Sequence, residues 1–298
     1  MDSDFLKAAE RGRSHFKDYA LALLFIVLGL LGLIFIFSLV VVIYRVVFGL
    51  PLEEFSFTEL SCSTKLVFAI GVYIALALII FLTTFKIHKR HPQTLINTGQ
   101  KIRVKRILFG FTAWLLIRAF SSFVLSLIYP KRYSFNVFSG IDVSVALLGL
   151  ILCFLASLLG AVLVAYILQG LNHLVKDLLL SIVYFIVSIA AIFIFSTNNF
   201  QVLFFLLGIF NFLFFILMML KEKGIELNIG WLMANGFYVN FCVSSKIEGG
   251  NPLLAECPSF VVAGSLPEIV GFLVSIAQIG IFYYVFLVDR DRSQTGAN

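Results

Sequence analysis

The sequence predicts an all-α, polytopic membrane helix bundle of about eight transmembrane helices, on three observations. First, 61% of the 298 residues are hydrophobic and only 13% charged, with a mean hydropathy of +1.04. A soluble domain carries roughly a quarter charged residues, because its surface must stay hydrated. Second, the chain divides into apolar runs of the length a bilayer core of about 30 Å demands, about 20 residues each. Third, the basic residues between those runs alternate from rich to poor.

The clear runs are Tyr19–Tyr44, Leu66–Phe85, Ile107–Tyr129, Val145–Leu171, Leu178–Phe195, Val202–Leu220 and Ile269–Val288. A weaker one, Leu227–Val243, holds Asn228, Asn235 and Asn240. It reads as an interior helix whose amides find partners inside the bundle. With eight spans, sixteen Lys and Arg fall on the side of both termini and four on the other. That asymmetry places residues 1–18 and 290–298 in the cytoplasm, on either side of a membrane domain at 19–289. The first 18 residues are too polar for a signal-peptide core, so the run after them is expected to remain as the first span.

The net charge of +6 would suggest nucleic acid in a soluble protein. Here the cations sit in interhelical loops, so no nucleic-acid partner is expected and anionic lipid headgroups are. The longest such loop, KIHKRHPQTLINTGQKIRVKR, reads as a solvated anchor or as a dock for an acidic partner. Of the four cysteines, Cys153 lies mid-span as a packing residue. Cys62 and Cys257 fall on the non-cytoplasmic side, and sequence leaves open whether they pair. No metal-binding spacing, CxxC or phosphate-binding loop occurs, so no metal or cofactor is expected.

Several segments in order carry a resemblance: DFLKAAERGRSHFKDYALALL, IHKRHPQTLIN, KIRVKRILFGFTAW, GAVLVAYILQGL and GIELNIGWLMANGFYV. Over nearly the whole chain these are similar to the CPBP superfamily of intramembrane metalloproteases. That family includes the type II CAAX prenyl endopeptidase and bacteriocin-immunity proteins. The resemblance implies a core in spans four to seven, about residues 145–243, and a bacterial plasma-membrane location. It also implies two adjacent Glu and an Arg on the fourth span, a His on the next, and a final His with Asn or Asp. Such groups would take a proton from water and hold the developing oxyanion.

This chain departs from that pattern at every catalytic position. Leu159 and Gly160 stand at the two Glu, Val164 at the Arg, Leu232 at the last His and Gly236 at its partner, with Asn235 beside it. The remaining His would fall between Ser196 and Asn199. Independently of alignment, the only histidines are His15, His88, His91 and His173, and the run Val145–Leu171 has no charged residue. No catalytic residue is therefore assigned.

Arg118, near the middle of the third run, is the polar residue that most needs an explanation, since a charge at that depth costs a few kcal/mol unless paired or hydrated. It is either an anion, lipid or partner-subunit site, or part of an internal network with an amide such as Gln169 or Gln278. Arg118, Asn199 and Asn235 are the candidate binding residues. The leading expectation is a non-catalytic homologue of the protease family. It would bind a membrane-protein segment, a lipid or a partner subunit in the former active-site cavity. The alternatives are an active CAAX-type endopeptidase using other residues, and a small-solute transporter or channel.

Overall fold

A computed structural model describes residues 5–47, 62–98, 101–135, 143–175, 202–239, 243–245, 261–263 and 267–295, with helical positions at 180, 182, 183 and 187. Its helices are α1 (Phe16–Val47), α2 (Cys62–Lys86), α3 (Val104–Ile128), α4 (Val143–Val175), α5 (Val202–Glu222), α6 (Glu226–Phe237) and α7 (Glu268–Thr295). All but α6 contain a stretch long and apolar enough to cross a membrane. The chain is an integral membrane protein with an all-α bundle fold. Three strands of three residues each form a small mixed sheet: β1 (Tyr133–Phe135) pairs antiparallel with β3 (Val261–Ala263), and β2 (Val243–Ser245) pairs parallel with β3.

Two of the eight expected spans need comment. The run Leu178–Phe195 lies largely outside the described residues. The weaker run is realised as α6, whose twelve residues reach about 18 Å at 1.5 Å per residue, short of a bilayer core. Asn228, Asn235 and Gly236 lower its value as a lipid-facing helix, and it lies inside the bundle instead. Every residue from Glu226 to Trp231 is buried, so no face of its first half meets lipid.

The close approach of α3 and α6 explains that burial. A Cβ added at Gly230 would lie 2.0 Å from the Ile107 carbonyl oxygen, and one at Gly110 would lie 2.5 Å from that of Leu227. Two glycines thus let the backbones touch, as small residues do where helices pack without water to drive them together. Around this contact Trp114 of α3, Trp231 of α6, Phe214 of α5 and Phe282 of α7 stack edge-to-face, with ring centroids 5.3–5.6 Å apart along the chain Phe282–Trp114–Trp231–Phe214. By contrast α1 packs chiefly on α2 through small positions (Ala22 is buried) and leaves large apolar side chains such as Leu24, Phe35 and Val46 exposed to lipid.

The N-terminal segment is not a loose polar arm. A 3-10 turn, Leu6–Arg11, docks on the end of α4 with Phe5, Leu6 and Ala8 buried. Asp18 then accepts from the backbone N–H of His15 at 3.1 Å, half of a capping box that starts α1.

Candidate functional site

Basic residues converge at one end of the bundle, where α2 ends, α3 and α6 begin, and α5 and α7 end. The turn between α5 and α6 runs Glu222-Lys223-Gly224-Ile225. Lys223 takes a left-handed conformation (φ 53°), and the Gly224 N–H reaches back to the Met219 carbonyl at 3.2 Å, closing the helix in the Schellman manner. Arg103 fits over this turn. Its Nη2 donates to Glu226 Oε2 at 2.8 Å and to the Glu222 carbonyl at 2.9 Å, and its Nη1 donates to Glu222 Oε2 at 3.2 Å. These bonds, led by that to Glu226, push the guanidinium above the ordinary arginine range. Asn97 also donates to Glu226, and Arg106 bridges Glu222 and Asp289. Sequence reading took this loop for a solvated anchor or a dock for an acidic partner. Instead Glu222, Glu226 and Asp289 of the same chain occupy two of its arginines.

A second network lies beside it. Thr83 and Thr84 bond back to the Ile79 and Ile80 carbonyls at 2.7 and 2.9 Å, and Lys89 turns through φ 54°. This reversal carries His88 and Arg90 inward, where each is at most 3% exposed. His91, extended before Pro92, leads into a 3-10 turn that buries Leu95. His88 Nδ1 lies 2.8 Å from the Arg13 carbonyl oxygen, so it is the protonated nitrogen, and Nε2 accepts from the Tyr166 hydroxyl at 2.7 Å. Burial holds this imidazole below the usual histidine range; Arg90 acts in the same direction and the Arg13 carbonyl opposes it. Arg90 Nη1 donates to Gln169 at 2.9 Å, and Gln169 donates in turn to the carbonyls of Phe5 and Thr94 at 3.1 and 3.0 Å. Burial lowers the Arg90 guanidinium from its ordinary value, with the phenols of Tyr19 and Tyr166 opposing.

Arg118 lies deeper, one helical turn beyond Trp114 on α3. Its Nη1 donates to Gln278 Oε1 of α7 at 3.2 Å, and its guanidinium carbon sits 5.2 Å from the centre of the Tyr238 ring at the end of α6. Tyr238 bonds to Ser122 of α3. Gln278 is thus the amide partner for Arg118, while Gln169 serves Arg90. Among the described residues Arg118 Nε finds no hydrogen-bond partner, and neither do the indole nitrogens of Trp114 and Trp231, all three being buried atoms. Among the described residues no carboxylate pairs with Arg118. Nearby, burial pushes the Tyr133 phenol upward, against the charge of Arg118.

The remaining expected positions scatter. Asn199 lies outside the described residues, as do Asn240 and Cys257. Asn235 is half-buried on α6, one turn after Trp231 and one before Tyr238. Leu159 is buried in the main apolar cluster, with Val164 and Leu232 packed against it. Gly236 faces Cys153, whose Sγ would be 3.6 Å from an added Cβ, and a Cβ at Gly160 would meet nothing within 4 Å. Of the asparagines expected to join helices, Asn228 does so, donating to the Phe215 carbonyl of α5 at 3.0 Å. A further asparagine, Asn211, bonds to the Leu207 carbonyl of its own helix, one turn back.

Chemically, the arrangement offers donors in excess. Among the described residues no imidazole bonds to a carboxylate side chain, and no three His, Cys, Asp or Glu converge as a metal site. Sequence reading did not single out Arg90, Glu222 or Glu226, whose partners lie far along the chain. Compared with protein-family models, with curated proteins and with solved structures, the chain finds no match in any of the three.

Proposed function

We propose that this chain is a catalytically silent homologue of the CPBP intramembrane metalloproteases that binds an anionic membrane component, a lipid headgroup or an acidic segment of a partner subunit, against α3, α6 and α7. In this reading it lies in a bacterial plasma membrane with both termini cytoplasmic, as the distribution of Lys and Arg along the chain favours. The observation that carries the proposal is Arg118: a cation at membrane depth with an aromatic face and one amide, which among the described residues has no carboxylate and no partner for its Nε. A buried donor without an acceptor costs roughly 1–3 kcal/mol, more when charged, so an anion there is favoured. Leu159, Val164 and Leu232, where the resemblance requires acid–base groups, are apolar and belong to the packed core.

Native mass spectrometry of gently extracted protein tests this. Wild type retains an anionic lipid or a stoichiometric partner, and Arg118→Gln loses it while Arg118→Lys keeps a part. Equal retention by Arg118→Gln contradicts the binding role. Cleavage of a prenylated or transmembrane peptide by purified protein, abolished by a point substitution, overturns the silent assignment.

A further inference from the structure

The network around Arg90 has its own unfilled requirement, at the basic end of the bundle and not at the depth of Arg118. Arg90 is 3% exposed, and only Nη1 is used, by Gln169. Among the described residues Nε and Nη2, both buried, have no partner, and neither has the buried hydroxyl of Tyr19. Nε and Nη2 are the two parallel donors on one edge of the guanidinium, the edge that grips an oxyanion bidentately. No carboxylate among the described residues pairs with Arg90. The nearby ionisable groups that act on it are phenols, Tyr19 and Tyr166, and the neutral His88 is held against both rings, 4.7 Å from Tyr19 and 5.5 Å from Tyr166.

The surrounding backbone is fixed tightly enough to keep these donors in place. A Cβ at Gly170 would lie 2.8 Å from the Tyr19 ring, and one at Gly12 would lie 2.2 Å from the His88 carbonyl oxygen. Arg13 and His88 exchange backbone and side-chain bonds, at 2.7 and 2.8 Å. Among the described residues the polar contacts of this network leave the same three donor atoms over.

We propose that Arg90 Nε and Nη2 and the Tyr19 hydroxyl form a receptor for a phosphate group under the docked N-terminal turn. The Tyr19 phenol is near enough to act on Arg90, and a third donor beside the arginine fork suits a tetrahedral oxyanion, which offers a third oxygen to the phenol after two engage the arginine; a carboxylate has only two. The phosphate is that of a membrane lipid at the basic end of the bundle or of a soluble phosphate compound. Roofed by Phe5 and the turn behind it, the bound group exchanges only when that turn lifts.

Thermal unfolding of the purified full chain in neutral detergent is followed with inorganic phosphate, and in nanodiscs with and without phosphatidylglycerol. Wild type is expected to rise in Tm with at least one probe. A rise with inorganic phosphate identifies a soluble anion; a rise only with phosphatidylglycerol identifies the lipid. Tyr19→Phe removes a hydroxyl that bonds to nothing, so it should fold normally while its apparent affinity falls about tenfold. Arg90→Lys keeps the charge but not the fork, and should fall further. A response lost in Arg118→Gln but kept in Arg90→Lys belongs to Arg118 and overturns the proposal. A wild type that responds to neither probe, or a Tyr19→Phe protein that responds like wild type, overturns the proposal.

Discussion

Substituting alanine at Gly230 would set a Cβ 2.0 Å from the Ile107 carbonyl oxygen, a backbone atom that cannot swing aside. Overpacking of a core costs typically about 1–3 kcal/mol, and a backbone clash lies at or above the top of that range. Gly230→Ala should therefore lower Tm in detergent sharply, whereas Gly160→Ala, whose Cβ meets nothing within 4 Å, should leave it near wild type. Equal Tm values for the two variants would contradict the α3–α6 contact. Glu226 makes a second case. Removing one member of a buried ion pair costs about 3–5 kcal/mol, and because Arg103 is 40% exposed the loss in Glu226→Gln should sit at or below the lower end, read again as Tm. These residues also mark where sequence reading stops. Gly110 and Gly230 stand in segments quoted for their resemblance, yet nothing in either segment says that they face each other. Likewise Glu226 lies 123 positions from Arg103, and a pair so separated is set by topology alone. Arg118 was legible because a charge within an apolar run is conspicuous by itself.

The helices themselves were legible for a simple reason: a bilayer sets one length and one polarity for each of them. Six expected runs coincide with helices to within a few residues at most ends. Helix α6 ends at Phe237, short of the expected Val243, because an interior helix is not held to the thickness of the lipid, and α7 runs on past Val288 to Thr295. The N-terminal turn was not visible as a docked element, since its polar composition conceals the alternation of Phe5, Leu6 and Ala8 with charged neighbours. Its docking should depend on pH through His88. Above about pH 6.5 the imidazole is neutral in folded and unfolded chains and contributes no pH dependence. Below that, the unfolded chain binds a proton that the buried ring resists, so stability falls as pH drops through this range and levels off below the folded pKa. The protection factors of residues 5–13, referred to the intrinsic exchange rate at each pH, should accordingly fall between pH 7 and pH 5 in wild type, and much less so in His88→Gln. Protection that is as pH-dependent in the variant would assign the effect to another group.

Across the whole molecule the polar groups divide by position. At the basic end, acids and arginines satisfy one another through Glu222, Glu226, Asp289, Arg103 and Arg106, fixing how α3, α5, α6 and α7 meet. Within the bundle, donors outnumber acceptors at Arg118, Trp114 and Trp231. Among the described residues Arg118 stands without a carboxylate, and the proposed anion-binding role rests on that. The measurement that tests this most directly is an experimental structure of the full chain in a native lipid nanodisc. The account predicts a non-protein oxyanion within about 3 Å of Arg118 Nε, a normal hydrogen-bond distance. An Asp or Glu of this same chain closing on Arg118, or a histidine and a carboxylate meeting at mid-membrane, would contradict it.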